Sequence, residues 1–216
     1  MNLASRIDHT LLRPDATTAE VERLCDEAIE WGFAGVCVNT CHIERVAARL
    51  AGTAVLPVAV AGFPLGAGST AAKAFEAGWA VQHGAREIDV VIAVGLLVAG
   101  DHGGVLADLR EVVRATHPWP VKAILETCLL DRAQKLAACA IAEEAGARFV
   151  KTSTGFGAGG ATVEDVALLR GAVGDRLEVK ASGGIRTTAD ALRMVEAGAD
   201  RIGASASVAI AKGAIR

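Results

Sequence analysis

No basic stripe, disulfide frame or metal-ligand cluster can be read in this sequence, and each absence removes a class of function. The Lys and Arg residues are scattered and the net charge is −3, which argues against nucleic acid as a partner. The cysteines, Cys25, Cys37, Cys41, Cys128 and Cys139, make an odd count at irregular spacing. That suits reduced thiols in a cytoplasmic protein rather than cross-links. The histidines at 9, 42, 83, 102 and 117 are dispersed, with no H-x-x-x-H or C-x-x-C pairing, so no metal is expected. Cys37, Cys41 and His42 are near in sequence, but they read as a strand thiol and a loop pair. There is no P-loop and no Gly-x-Ser-x-Gly elbow. Met1 to Arg6 lack signal-peptide architecture. The uncharged stretch 50–72 is long enough to span a bilayer, but Pro57, Pro64 and four glycines cut it into pieces too short for a membrane helix. No membrane partner is expected, and no Pro/Ser-rich linker or charge run divides residues 1–216, which read as a single domain.

What is present is an apolar chain, 52% hydrophobic, able to bury a sizeable core. Short β-rich runs alternate with helical periodicity. Thr17-x-x-Glu20, Thr162-x-x-Asp165 and Thr187-x-x-Asp190 are helix-start signatures. The runs are expected at 7–12, 35–39, 55–61, 87–94, 121–126, 149–151, 177–182 and 201–205. Eight helices follow them, one of them over 105–115, and the first run is expected to carry Asp8 at its far end. Such alternation means a parallel sheet, because each crossover helix returns the chain to the same edge. Eight units in 216 residues fit an α/β protein of the compact (β/α)8 TIM-barrel class. An open doubly wound sheet is the alternative.

Three of the strands carry lysines among apolar neighbours: Val121-Lys122-Ala123, Val150-Lys151-Thr152 and Val179-Lys180-Ala181. Taking an ammonium out of water is costly, and a buried lysine tends to shed its proton instead. A neutral amine at a strand end is a nucleophile toward carbonyls and forms a Schiff base. Lys151 and Lys180 occupy equivalent places on neighbouring strands, so repulsion should lower one amine's pKa, and Asp89 offers a carboxylate to move a proton. The competing reading is a buried structural ion network. In a barrel, the polar strand residues Asp8, Asp89, Lys122, Glu126, Lys151, Lys180 and Ser205 would gather at the C-terminal face.

Gly155-Phe156-Gly157-Ala158-Gly159-Gly160 matches G-x-G-x-x-G, yet Glu178, the acidic residue a dinucleotide site would use, starts its strand on the wrong edge. The glycines serve better as a loop whose N–H groups face an anion. Gly183-Gly184 and Gly203-Ala204-Ser205 follow the last two strands, where barrels commonly bind phosphate. A sugar phosphate is the expected ligand.

Most specific are the segments Val150-Lys151-Thr152-Ser153-Thr154-Gly155-Phe156 and Val179-Lys180-Ala181-Ser182-Gly183-Gly184-Ile185-Arg186. With Ile7-Asp8-His9-Thr10, Gly62-Phe63-Pro64-Leu65-Gly66, Glu87-Ile88-Asp89 and Arg201-Ile202-Gly203-Ala204-Ser205, the sequence resembles the 2-deoxyribose-5-phosphate aldolase family over nearly its whole length. The resemblance implies a metal-free and cofactor-free class I aldolase that reversibly cleaves 2-deoxy-D-ribose 5-phosphate to glyceraldehyde 3-phosphate and acetaldehyde. It implies that Lys151 forms the imine, that Lys180 lowers the pKa of Lys151, and that Asp89 shuttles protons. Asp8, Thr10, Cys37 and Lys122 match positions lining the family's pocket. Thr154, Gly155, Gly183, Gly184 and Ser205 match its phosphate end. Ala93 stands where many relatives have Asn, and Thr40-Cys41-His42 replaces a more usual Pro-containing turn. Another Schiff-base aldolase and a non-catalytic sugar-phosphate-binding barrel are the rival readings, and a homo-oligomer is compatible with all three.

Overall fold

Strands too short to bury themselves and helices apolar on one side solve each other's problem by wrapping a closed sheet in helices. The computed structural model describes residues 3–214. Its strands are β1 (Ile7–Leu11), β2 (Gly35–Val38), β3 (Leu56–Ala61), β4 (Glu87–Val91), β5 (Val121–Ile124), β6 (Phe149–Lys151), β7 (Glu178–Ser182) and β8 (Arg201–Ala204). All neighbours pair in parallel, and β8 pairs back onto β1 through Ile7↔Ile202 and Asp8↔Gly203, closing the barrel. The molecule is a single-domain (β/α)8 TIM barrel.

The helices are α1 (Thr18–Trp31), α2 (Ile43–Arg49), α3 (Thr70–Gln82), α4 (Val94–Val98), α5 (His102–Thr116), α6 (Arg132–Ala145), α7 (Val163–Val173), α8 (Thr188–Glu196) and α9 (Ser207–Ala214). All three capping signatures start helices: Thr17, Thr162 and Thr187 accept from the N–H of Glu20, Asp165 and Asp190.

Five expectations need correction. The described residues contain nine α-helices rather than eight, because α4 fills the segment after β4, which stops at Val91 rather than 94. α5 begins at His102, since the Asp101 side chain caps Gly104 N–H at 2.9 Å and offsets the poor helix propensity of Gly103-Gly104. β5 ends at Ile124, and Glu126 lies outside it in a left-handed turn, φ 55°. Ser205 sits just past β8. Asp8 is the second residue of β1 rather than its far end.

Alternation along the strands sorts the core into two parts. Outward residues such as Ile7, Val36, Ala59, Ile88, Val121, Val150, Val179 and Ile202 join one large apolar cluster against the helices. Inside the barrel the apolar cluster is small, Leu12, Cys37, Val58 and Val60 with Leu56 and Phe63 against it. Charged side chains, with Phe149 among them, take much of the remaining interior.

Candidate active site

Period-2 alternation turns Asp8, Glu87, Asp89, Lys122, Lys151, Lys180 and Arg201 into the barrel. Strand register then brings them together. Lys151 pairs with Lys180, Asp89 with Lys122, and Lys180 with Arg201. Lys151 Nζ donates to Asp89 Oδ2 at 2.8 Å, and Lys180 Nζ donates to the same oxygen at 2.7 Å. Lys180 also reaches Asp8 Oδ2 at 2.5 Å, while Lys122 Nζ donates to Asp89 Oδ1 at 2.9 Å. Two glycines leave the room. A Cβ on Gly203 would lie 3.0 Å from Lys180 Cε and 2.9 Å from Ser182 Cβ, and one on Gly35 would lie 3.0 Å from Asp8 Oδ1.

Charge state follows from this packing. Burial alone would raise Asp89, but Lys122, Lys151 and Lys180 together hold it well below the ordinary carboxylate range. Asp8, against the same cost of burial, is held low by Lys180, Arg201 and Lys122. Lys180 goes the other way from Lys151: burial opposes its charge, but Asp8 and Asp89 raise it above the ordinary lysine value. Lys151 is pushed below that value, first by burial and then by Lys180, with Asp89 pulling against both. The buried Cys37 thiol is pushed up to about 11 by desolvation and by Asp89.

Above this cluster lies a cavity of about 320 Å³ at the C-terminal ends of the strands. Thr10, Lys151, Thr154, Gly155, Gly183, Gly184 and Ser205 line it, so the expected amine and the expected phosphate end share one space. Asp8, Asp89, Lys122 and Lys180 lie beneath it with no exposed surface, and Cys37 belongs to the interior apolar cluster. Two of the three hydroxyls after Lys151 are committed to structure, while the buried Ser153 hydroxyl has no partner among the described residues. Thr152 Oγ1 donates to Ser182 O at 3.1 Å, and the Thr154 hydroxyl donates to Glu126. Gly183 and Gly184 hold left-handed φ values of 89° and 78°. A Cβ on Gly160 would sit 2.3 Å from Gly183 O, so the two glycine loops pack backbone to backbone.

Sequence reading missed several contributors. Arg13 and Arg186 border the cavity and bring cations to it; the signal for Arg186 was its place two residues after Gly184. Glu126, expected at this face, acts on the loop: its carboxylate also accepts from Thr154 N–H at 3.3 Å and so fixes the segment after β6. Glu87 and Arg201 close the ionic cluster from below, Arg201 Nη1 lying 2.7 Å from Asp8 Oδ1 and 3.1 Å from Glu87 Oε2. Both stand in segments that carry the family resemblance, but neither was among the candidate site residues. Among the described residues, no group of three or more His, Cys, Asp or Glu has metal-holding geometry, and no helix is long and apolar enough to cross a membrane.

A closed barrel with a buried lysine of lowered pKa bordering a polar cavity has the layout of an enzyme site. Comparison with known proteins names the group. The family model described as DeoC/LacD family aldolase matches residues 3–215, and the chain belongs to that family. It is 54% identical over 213 residues to the deoxyribose-phosphate aldolase of Thermoanaerobacter sp. (strain X514), covering 97% of this chain and 96% of that one. Among solved structures it is similar to QR15, an aldolase, with TM-score 0.95 and 38% identity over 100% of this chain and 96% of that one. The deoxyribose phosphate aldolase of Aeropyrum pernix, described as a unique tetramer, aligns with TM-score 0.92 and 35% identity over 97% of this chain and 89% of that one.

Proposed function

We propose that the chain is a class I aldolase that cleaves 2-deoxy-D-ribose 5-phosphate to glyceraldehyde 3-phosphate and acetaldehyde, with Lys151 as the imine-forming amine. One observation carries the reading: Lys151 alone among the buried lysines both borders the cavity and has its pKa pushed down. Its neutral amine adds to the C1 aldehyde of the open-chain sugar, and loss of water gives the imine. Protonated, that imine draws electrons from the C2–C3 bond as the C3 hydroxyl loses its proton. Glyceraldehyde 3-phosphate leaves, the enamine takes a proton at C2, and hydrolysis frees acetaldehyde and the amine. Asp89 bridges Lys151 and Lys180, so a proton leaving one nitrogen has a hydrogen-bonded path to the other. Asp8 keeps Lys180 in place. Gly155, Gly183, Gly184 and Ser205, with Arg13 and Arg186, would receive the phosphate.

The test is a coupled assay for acetaldehyde release. Activity is expected to survive prolonged EDTA treatment and to be lost with borohydride only when the sugar phosphate is present. Loss to EDTA that zinc restores would contradict the class I reading.

A further inference from the structure

Asp89, Lys122, Glu87, Arg201, Asp8 and Lys180 form one closed ring of alternating charge. Asp89 Oδ1 meets Lys122 at 2.9 Å, and Lys122 pairs with Glu87. Glu87 Oε2 meets Arg201 at 3.1 Å, and Arg201 meets Asp8 Oδ1 at 2.7 Å. Asp8 Oδ2 then meets Lys180 at 2.5 Å, which returns to Asp89 Oδ2 at 2.7 Å. The ring runs from the floor of the barrel, where Glu87, Phe149 and Arg201 begin their strands, up to Asp89 beneath the cavity. Phe149 braces the floor, with Lys122 Nζ and the Arg201 guanidinium each 5.4 Å from its ring centroid.

Three carboxylates in this ring face three cations, and Lys151 is attached as a fourth cation with one oxygen, which it shares with Lys180. We infer that Glu87 and Arg201, remote from the cavity, are positioning residues for the reaction, and that by fixing the charge count of the ring they decide whether Lys151 is ammonium or amine. An unbalanced charge in a buried cluster is expensive, and the cheapest relief is for the worst-partnered base to lose its proton. Lys151 is that base. The other groups turned toward it are Asp89 on β4 and Lys180 on β7, with Asp8 on β1 and Lys122 on β5 behind them; Cys37 on β2 is a neutral thiol and adds no charge. Glu126 is bonded to Thr154 and belongs to the rim. The directions agree: Lys122, Lys180 and Arg201 are held above their ordinary values, each against the cost of burial, and Lys151 alone falls.

The inference rests on the Schiff-base reading, and one experiment separates the two. The rate of cyanoborohydride trapping with 2-deoxyribose 5-phosphate is measured against pH for the parent, Arg201→Gln, Glu87→Gln, Arg201→Lys and the double Arg201→Gln/Glu87→Gln. Arg201→Gln leaves three bases, Lys151 among them, for three acids. Its trapping midpoint should rise by about one pH unit or more, a tenfold loss of reactive amine at neutral pH per unit. Glu87→Gln adds to the positive excess and should move the midpoint down. The double variant and Arg201→Lys restore the balance and should keep the parent midpoint. Singles that leave the midpoint in place, or move it the same way, overturn the inference. If the singles do not fold, a displaced midpoint in the charge-balanced double overturns it and a parent-like one supports it. A parent that traps nothing removes the Schiff-base reading instead.

Discussion

Gly203 shows how little space separates a working site from a broken one. Its missing side chain is what lets Lys180 cross the barrel to Asp8, and a methyl group there would meet Ser182 Cβ at 2.9 Å and Lys180 Cε at 3.0 Å. Lys180 is pinned at both ends of its charge, so it cannot move aside without leaving Asp8 or Asp89. Gly203→Ala should therefore cost about 1–3 kcal/mol of stability, the usual penalty for overpacking a filled core, and lower kcat at least tenfold. Gly171→Ala on α7 meets nothing within 4 Å and should leave kcat alone. Equal kinetics for the two variants would remove the packing argument. The lysine pair was legible from sequence because Val-Lys recurs at equivalent places on successive strands. The contact of Lys180 with Asp8 was not, because it spans 172 residues and exists only once β8 pairs with β1.

At the scale of elements, α8 does more than cover the barrel. Its N-terminus holds the loop that follows Gly183-Gly184: Asp190 Oδ2 accepts from Arg186 N–H at 3.2 Å and from Thr187 N–H at 3.0 Å, and Thr187 Oγ1 accepts from Asp190 N–H at 3.1 Å. Asp190→Ala should lower stability, as lost caps do. It should also raise KM for 2-deoxyribose 5-phosphate several-fold while leaving KM for unphosphorylated 2-deoxyribose unchanged. A uniform rise in both would detach this loop from phosphate binding. Thr187-x-x-Asp190 was readable as a cap because capping is a local bargain between a side chain and its own helix. The α4 turn and the early start of α5 were hidden, since Gly103-Gly104 reads as a break until the Asp101 cap is seen.

For the whole molecule, an ionic barrel interior ties stability to pH. Asp8 and Asp89 titrate below the ordinary 3.8 when folded. Their contribution is thus complete above about pH 4 and is lost as pH falls toward their folded values. Lys180 titrates above the ordinary 10.5, so its contribution is complete at neutral pH and is lost only as pH rises past that value. The urea midpoint should change little from these groups between pH 5 and 9 and drop below pH 4. Asp8→Asn leaves Lys180 and Arg201 undercompensated, and should cost about 3–5 kcal/mol at pH 7, as broken buried pairs do, with a shallower acid limb. An acid limb identical to the parent's would show that the ring does not govern acid stability.

The direct measurement is the location of the trapped carbon. Protein incubated with 2-deoxyribose 5-phosphate and borohydride, then digested and mapped by peptide mass, should carry one adduct, on the peptide containing Lys151, and Lys151→Leu should carry none at any pH. An adduct on Lys180 or Lys122 in the parent, or trapping that persists in Lys151→Leu, would contradict the assignment of Lys151 as the nucleophile.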